Sequence, residues 1–186
     1  MKSISKKLAL TAMMTALCAV ATYAVSVPFP SGVGYFNLGD VFVLLAGWLL
    51  GPVFGALSAG LGSMLADLFL GFTAYMPATF VIKAAVSLVG WALYALLKKL
   101  IKKDVIDFLP RLLAGLVAEG VMVLGYLFFE GVILGLGAGA LASVLGNTVQ
   151  AACGLIGGTA TISAFYPIPA ARRLFPALAK PLDRKE

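Results

Sequence analysis

Apolar segments long enough to cross a bilayer take up nearly all of the chain and leave no stretch for a separate soluble domain. The sequence has 186 residues, of which 61% are hydrophobic and 12% charged. Proline, glycine and lysine clusters divide it into six segments. We therefore predict an all-α integral membrane protein with six transmembrane helices and a single membrane domain over residues 1–186. The predicted spans are 6–27, 39–50, 52–71, 77–97, 109–131 and 138–165.

The first two segments differ from an ordinary span. Residues 1–27 begin with basic residues, as a signal peptide does, but the apolar run is long and lacks a clear small-x-small cleavage site before Pro28. We expect this segment to be a retained helix. Residues 39–50 would extend only about 18 Å as a helix, against a hydrocarbon core of about 30 Å. We expect the second and third helices to form a tight hairpin around Gly51-Pro52.

Every lysine and arginine except Lys83 lies next to predicted helix ends on one side of the membrane. By the positive-inside rule this side is the cytoplasm, so six helices place both termini there. The basic residues do not line one aromatic face, which argues against nucleic-acid binding. The clusters are Lys2, Lys6 and Lys7; Lys98, Lys99, Lys102, Lys103 and Arg111; and Arg172, Arg173, Lys180, Arg184 and Lys185.

Lys83 is the one charged residue in the apolar stretch 77–97. Placing a lysine there costs roughly 2.5–3.5 kcal/mol. Its side chain either snorkels to the headgroups or faces other polar groups at membrane depth, where Asp67 can pair with it. Such a set forms a small-molecule pocket, a structural ion network, or a proton or ion relay. The other polar residues at membrane depth are Glu119, Tyr126, Glu130, Asn147 and Gln150.

The link from Pro28 to Asp40 is the longest connection on the outer side and mixes turn-forming residues with aromatic ones. This composition is typical of a loop that folds back as a lid over a pocket. The alternative is a plain loop in which Asn37 or Asp40 caps the second helix.

Two helices carry stripes of small residues, which allow another helix to approach closely. Internal packing accounts for the stripe in the third helix. The stripe in the first helix either packs inside the bundle or docks a separate membrane protein. The stripes are Gly51, Gly55, Ala59 and Ser63 in the third helix, and Ala9, Ala12, Ala16 and Ala19 in the first.

Several chemistries are excluded by what the sequence lacks. It has no histidine, which removes histidine-ligated metals and histidine-activated nucleophiles. Cys18 and Cys153 lie in separate spans without a CxxC spacing, so we expect packing roles. No P-loop motif occurs, so any ATP dependence resides in partner subunits. We expect no catalysis, cofactor or metal; a stand-alone transporter coupled to ions through Lys83, Asp67 and Glu119 is the alternative function.

A series of short motifs runs in order through nearly the whole chain. They are Gly34-Tyr35-Phe36-Asn37-Leu38-Gly39-Asp40, Gly51-Pro52 through Gly55, Gly62-Ser63, Ala66-Asp67, Pro77-Ala78-Thr79 before Lys83, and Gly146-Asn147 with Gln150. In this order they resemble the substrate-binding S components of energy-coupling factor (ECF) vitamin transporters. Within that family the chain is most similar to the branch with riboflavin, hydroxymethylpyrimidine and pyridoxine S components.

The resemblance implies a six-helix bundle in a prokaryotic plasma membrane. It also implies outer-side capture of a water-soluble vitamin or precursor, with pyridoxine or hydroxymethylpyrimidine favoured. A transmembrane coupling subunit and two cytoplasmic ATPases are the implied partners, and the bundle reorients to release its ligand. Ala12-Met13-Met14-Thr15-Ala16 matches the family's Ala-x-x-x-Ala motif, which contacts the coupling subunit. The implied substrate-binding residues are Asn37, Lys83, Glu119, Tyr126, Asn147 and Gln150, with Tyr35, Asp40 and Asp67 in support.

Overall fold

The computed structural model describes residues 4–29, 32, 34–101 and 107–178, and this part of the chain is a helical bundle. Its α-helices are α1 (Ile4–Ala24), α2 (Gly39–Leu50), α3 (Pro52–Leu70), α4 (Met76–Leu100), α5 (Phe108–Phe128), α6 (Leu141–Phe165) and α7 (Pro169–Leu174). A π-helical turn, Phe129–Ile133, extends α5, and 3-10 turns cover Gly137–Ala140 and Pro176–Leu178. The short strands β1 (Val27–Pro28) and β2 (Tyr35–Phe36) pair antiparallel between α1 and α2.

Five of the described helical segments are long and apolar enough to cross a membrane. They contain α1, α3, α4, α5 and α6. The predicted all-α membrane architecture is confirmed. The sixth predicted span is α2, whose 12 residues are too few to cross a bilayer alone.

α2 lies at the centre of the bundle, in contact with α1, α3, α4 and α6. Apart from Asp40 in its first turn, its sequence is apolar on every side, as expected for a helix enclosed by others. Glycines permit this close packing: a Cβ atom at Gly47 would lie 2.3 Å from the carbonyl oxygen of Ser87, and one at Gly55 would lie 2.6 Å from that of Ala46. Gly55 belongs to the small-residue stripe of α3, and this contact with α2 supports its interpretation as internal packing.

α1 packs through one face. Its buried residues recur every fourth position, and a Cβ atom at Gly62 of α3 would lie 2.5 Å from the Cβ of Cys18. Ala12 and Ala16 are exposed on another face. The buried residues are Leu10, Met14, Cys18 and Thr22.

The described basic residues other than Lys83 gather at one end of the bundle, which we call the basic end. Here α1 and α5 begin, and α4 and α6 end. Its described members are Lys6, Lys7, Lys98, Lys99, Arg111, Arg172 and Arg173. Lys2, Lys102, Lys103, Lys180, Arg184 and Lys185, which belong to the predicted clusters, lie outside the described residues.

A hydrogen-bonded network around Asp107 ties the helices together at the basic end. The Oδ2 atom of Asp107 accepts hydrogen bonds from the hydroxyls of Tyr94 and Tyr166, each 2.9 Å away, and pairs with Lys98. Arg111 donates to both tyrosine hydroxyls, at 2.7 and 2.9 Å. Burial raises the pKa of the Asp107 carboxyl, but the hydrogen bond and charge of Lys98 outweigh it and hold that pKa below its ordinary value. The carboxylate therefore stays ionised at neutral pH.

Candidate ligand-binding site

Polar side chains from all six longer helices and from the α1–α2 link converge at the end of the bundle opposite the basic end. This follows from the alternating helix direction, because α1, α3 and α5 end where α2, α4 and α6 begin. The cavity between them is lined by Thr22, Gly34, Tyr35, Asn37, Ser63, Asp67, Tyr75, Thr79, Lys83, Tyr126, Glu130, Asn147 and Gln150.

The centre of the site is a buried ion pair between Lys83 of α4 and Asp40 of α2. The Lys83 Nζ atom lies 2.6 and 2.8 Å from the two carboxylate oxygens of Asp40, and both residues are at most 2% exposed. Lys83 therefore does not snorkel. The expected pairing of Lys83 with Asp67 is wrong, because the central helix α2 presents a carboxylate directly to Lys83.

A glutamine connects this ion pair to the link before α2. Gln150 donates to Asp40 Oδ2 at 2.6 Å, and its Oε1 accepts hydrogen bonds from the backbone and side-chain amides of Asn37, both at 2.9 Å. Asn37 Oδ1 in turn accepts from the backbone N–H of Gly39 at 2.9 Å. Asn37 thus accepts the N–H of the first residue of α2 and also belongs to the polar site, while the N-cap residue itself is Leu38 and Asp40 does not act as the cap.

Strand β2 and the residues beside it contribute to the site, since Gly34, Tyr35 and Asn37 line the cavity. The Tyr35 hydroxyl donates to Asp67 Oδ1 at 2.6 Å. Burial and the neighbouring Asp67 carboxylate raise the pKa of Tyr35 above its ordinary value, so its hydroxyl remains a donor at neutral pH. Phe29 packs so tightly on α6 that a Cβ atom at Gly146 would lie 2.1 Å from its ring.

A second polar cluster lies between α4, the π-helical turn and α6. Glu130 accepts hydrogen bonds from Ser143 and from the Tyr75 hydroxyl, the latter at 3.3 Å. Asn147 donates to the Ser143 hydroxyl at 3.4 Å. Nearby, the hydroxyls of Thr79 and Tyr126 are 3.1 Å apart, and the Tyr126 ring centroid lies 5.5 Å from Lys83 Nζ.

The cavity among these groups holds about 20 Å³, which is room for about one water molecule. The structure therefore describes a closed site. A larger groove of about 530 Å³ lies at the basic end, but it lacks the converging amides and carboxylates found here. We locate the candidate site by its directed polar groups, because these determine which small molecule a pocket accepts.

Comparison with known proteins determines the family. The sequence-family model described as the ECF-type riboflavin transporter S component matches residues 2–166 of this chain. The chain belongs to the S-component family of ECF transporters. It is also similar to an uncharacterised protein of Pyrococcus woesei, with 38% identity over 141 residues that cover 75% of this chain and 87% of that protein. S components bind vitamins and are the non-catalytic subunits of these transporters.

Five of the six predicted binding residues of this S component line the cavity: Asn37, Lys83, Tyr126, Asn147 and Gln150. Glu119 does not. It lies behind the ion pair, within electrostatic range of Asp40 and Lys83 and beside Gly154. Neither of its carboxylate oxygens has a hydrogen-bond partner among the described residues.

The three supporting residues take different positions in this S component. Asp40 holds Lys83, while Tyr35 and Asp67 face the cavity and bind each other. Sequence reasoning did not select Thr22, Ser63, Tyr75, Thr79 and Ser143, which also contribute polar atoms here. Short hydroxyl side chains are common throughout membrane helices, so only a three-dimensional arrangement distinguishes the four serines and threonines, and Tyr75 lies in the connection before α4.

Proposed function

We propose that this S component captures a neutral or cationic water-soluble vitamin or precursor, with pyridoxine or hydroxymethylpyrimidine favoured. The observation that carries the proposal is the neutralisation of Lys83 by both oxygens of Asp40. The cation is already paired, so the carboxylates of Asp67 and Glu130 dominate the charge that faces the cavity. Such a lining favours ligands that donate hydrogen bonds and disfavours anions such as pantothenate.

The small size of the closed cavity supports a ligand with a single ring. A pyridine alcohol or an aminopyrimidine displaces the hairpin less than the three-ring system of riboflavin does. The amides of Asn147 and Gln150 and the hydroxyl of Tyr126 supply additional hydrogen bonds to ring nitrogens and hydroxyl groups. Glu119 lies outside the ligand pocket in this proposal.

The ligand assignment is tested by calorimetric titration of the purified protein with pyridoxine, hydroxymethylpyrimidine, thiamine, riboflavin and pantothenate. We expect saturable binding of one single-ring compound and at least tenfold weaker binding in Asn147→Ala, since a lost hydrogen bond in a buried site costs about 1–3 kcal/mol. Thr148→Ala is the matched control, because Thr148 is exposed on the next position of α6. Tightest binding of pantothenate, or equal affinity of the two variants, would contradict the proposed site.

We further propose that the β1–β2 hairpin is the lid of this pocket. In Gly146→Val the added side chain displaces Phe29 from α6, at a cost of about 1–3 kcal/mol to the closed state. We expect the ligand to dissociate about tenfold faster, measured by stopped-flow displacement. Gly120→Val in α5 is the control, because a Cβ atom there would meet nothing within 4 Å. Equal dissociation rates in both variants would show that the hairpin does not retain the ligand.

The proposed assembly and topology follow from family membership and charge. We propose one membrane domain over residues 1–186 in a prokaryotic cell membrane, with both termini cytoplasmic and a coupling subunit and two ATPases as partners. The segregation of the described lysines and arginines other than Lys83 at the basic end supports this orientation. The exposure of Ala12 and Ala16 supports docking of the coupling subunit on α1, since a face buried inside the bundle is closed to a partner.

A further inference from the structure

The groove at the basic end is a second concave site, and it lies at the other end of the bundle from the closed pocket. It has a volume of about 530 Å³, within the range of small-molecule sites. The first turn of α1, the α2–α3 junction, the last turns of α4 and the 3-10 turn after α7 form its walls. The lining residues that matter here are Lys7, Trp48, Phe54, Trp91, Lys98 and Lys99.

The charge of this groove is entirely positive in the described part of the chain. Three lysines line it, and no acidic side chain does. Lys98 is paired with Asp107, whereas Lys99 is exposed and Lys7 lies 5.7 Å from the centroid of the Phe54 ring. Lys7 and Lys99 therefore supply the positive charge that a bound anion would meet.

The walls between the lysines are aromatic and aliphatic. The half-buried Phe54 and Trp91 contribute to them, with the buried Trp48 behind, and a partly exposed tryptophan such as Trp91 is typical of the level at which hydrocarbon meets headgroups. Exposed Leu96 and Leu100 follow on the outer face of α4. An apolar groove with a cationic rim, open beside an exposed apolar helix end, matches a molecule with an anionic head and an apolar body.

We propose that this groove binds the headgroup of an anionic phospholipid, with Lys7 and Lys99 contacting its phosphate and the aromatic walls contacting its glycerol and upper acyl chains. Basic pockets between transmembrane helices bind anionic headgroups in this way. The proposal is independent of the vitamin that the opposite end binds.

Tryptophan fluorescence provides a direct test, because Trp48 and Trp91 are the two tryptophans of the chain. Trp91 is half-buried at the groove, whereas Trp48 is only 1% exposed, so quenching by a lipid in the groove reports mainly on Trp91. The full-length protein is placed in nanodiscs that contain increasing amounts of brominated phosphatidylglycerol or brominated phosphatidylcholine. We expect tryptophan fluorescence to be quenched at a lower mole fraction of the anionic lipid. Equal quenching by the two lipids would overturn the proposal.

Substitutions show whether the groove lysines cause the preference for the anionic lipid. Each lysine near a membrane surface contributes roughly fivefold to anionic-lipid binding, so Lys7→Gln/Lys99→Gln is expected to reduce the preference about 25-fold. Lys6→Gln/Arg173→Gln removes the same charge at the same end without changing the groove lining, and we expect it to keep most of the preference. An equal loss in both double variants would show a general surface attraction. Circular dichroism verifies that the variants are folded.

Two further measurements distinguish an anionic lipid from free phosphate and from a protein partner as the occupant of the groove. Inorganic phosphate or glycerol phosphate that abolishes the excess quenching at millimolar concentration would show a site for free phosphate and not for a lipid. Loss of copurification with the coupling subunit in Lys7→Gln/Lys99→Gln, without any lipid preference in the wild type, would assign the groove to a protein partner. Either result would overturn the lipid proposal.

Discussion

Lys83→Met is expected to lower the free energy of unfolding by about 3–5 kcal/mol, the usual consequence of removing one partner from a buried ion pair. Asp40 is fully buried, and without Lys83 the bond from Gln150 is the one side-chain hydrogen bond that its carboxylate keeps among the described residues. An unpaired charge at this depth is far more costly than the lost contact itself. Denaturant unfolding of the purified protein in detergent measures the difference.

Two controls isolate the charge from the shape of the side chain. Lys83→Met/Asp40→Asn removes both charges, and we expect it to recover most of the lost stability. Lys99→Met removes an exposed lysine from the same helix and is expected to change stability by less than about 0.5 kcal/mol. If Lys83→Met is as stable as the wild type, the ion pair does not hold α2 against α4.

This ion pair also changes how binding data on Lys83 are interpreted. Lys83→Ala would weaken ligand binding through the misplacement of Asp40, Gln150 and Asn37 as well as through any direct contact, since these groups form one chain of hydrogen bonds. Asn147→Ala is the more specific probe, because Asn147 donates to a single hydroxyl at 3.4 Å.

The sequence predicts the depth of each polar residue but not the direction in which it points around its helix. Asp67 and Asp40 both lie within reach of the level of Lys83, so two ion pairings were compatible with the sequence. The central position of α2 decides among them by directing Asp40 at Lys83 and leaving Asp67 to Tyr35. Asn147 and Gln150 were predictable as a pair, because residues three apart share a helix face.

The lid and the short α2 depend on contacts between distant parts of the chain. The composition of residues 28–40 suggests a folded loop, but the tight contact between Phe29 and Gly146 joins residues 117 positions apart and leaves no local pattern. α2 is too short to span the membrane alone. Its almost wholly apolar sequence predicts a helix that is enclosed by others, and this is the position that it has at the centre of the bundle. Glu119 shows a further limit, since its position on α5 gave no sign that its buried side chain lies outside the cavity lining.

Substitutions on the exposed face of α1 are expected to affect transport without affecting ligand binding. Its buried residues face α2 and α3, while Ala12 and Ala16 are exposed, so a bulky side chain at either alanine leaves the bundle and its pocket unchanged. We expect Ala12→Trp and Ala16→Trp to retain ligand affinity and to reduce uptake to background, because an indole ring prevents a partner helix from approaching a small-residue face. Uptake of the radiolabelled ligand by cells that contain the complete transporter provides the measurement.

Ala152→Trp is the matched control, since Ala152 is an exposed alanine near the middle of α6. We expect this variant to bind and transport normally, which excludes a general effect of tryptophan on membrane insertion. Normal uptake in Ala12→Trp and Ala16→Trp would remove α1 as the docking face. Uptake by vesicles that contain this chain alone tests the alternative function. Uptake driven by an ion gradient without ATPases would favour an ion-coupled transporter, in which Asp67, Glu119 and Lys83 act on the coupling ion.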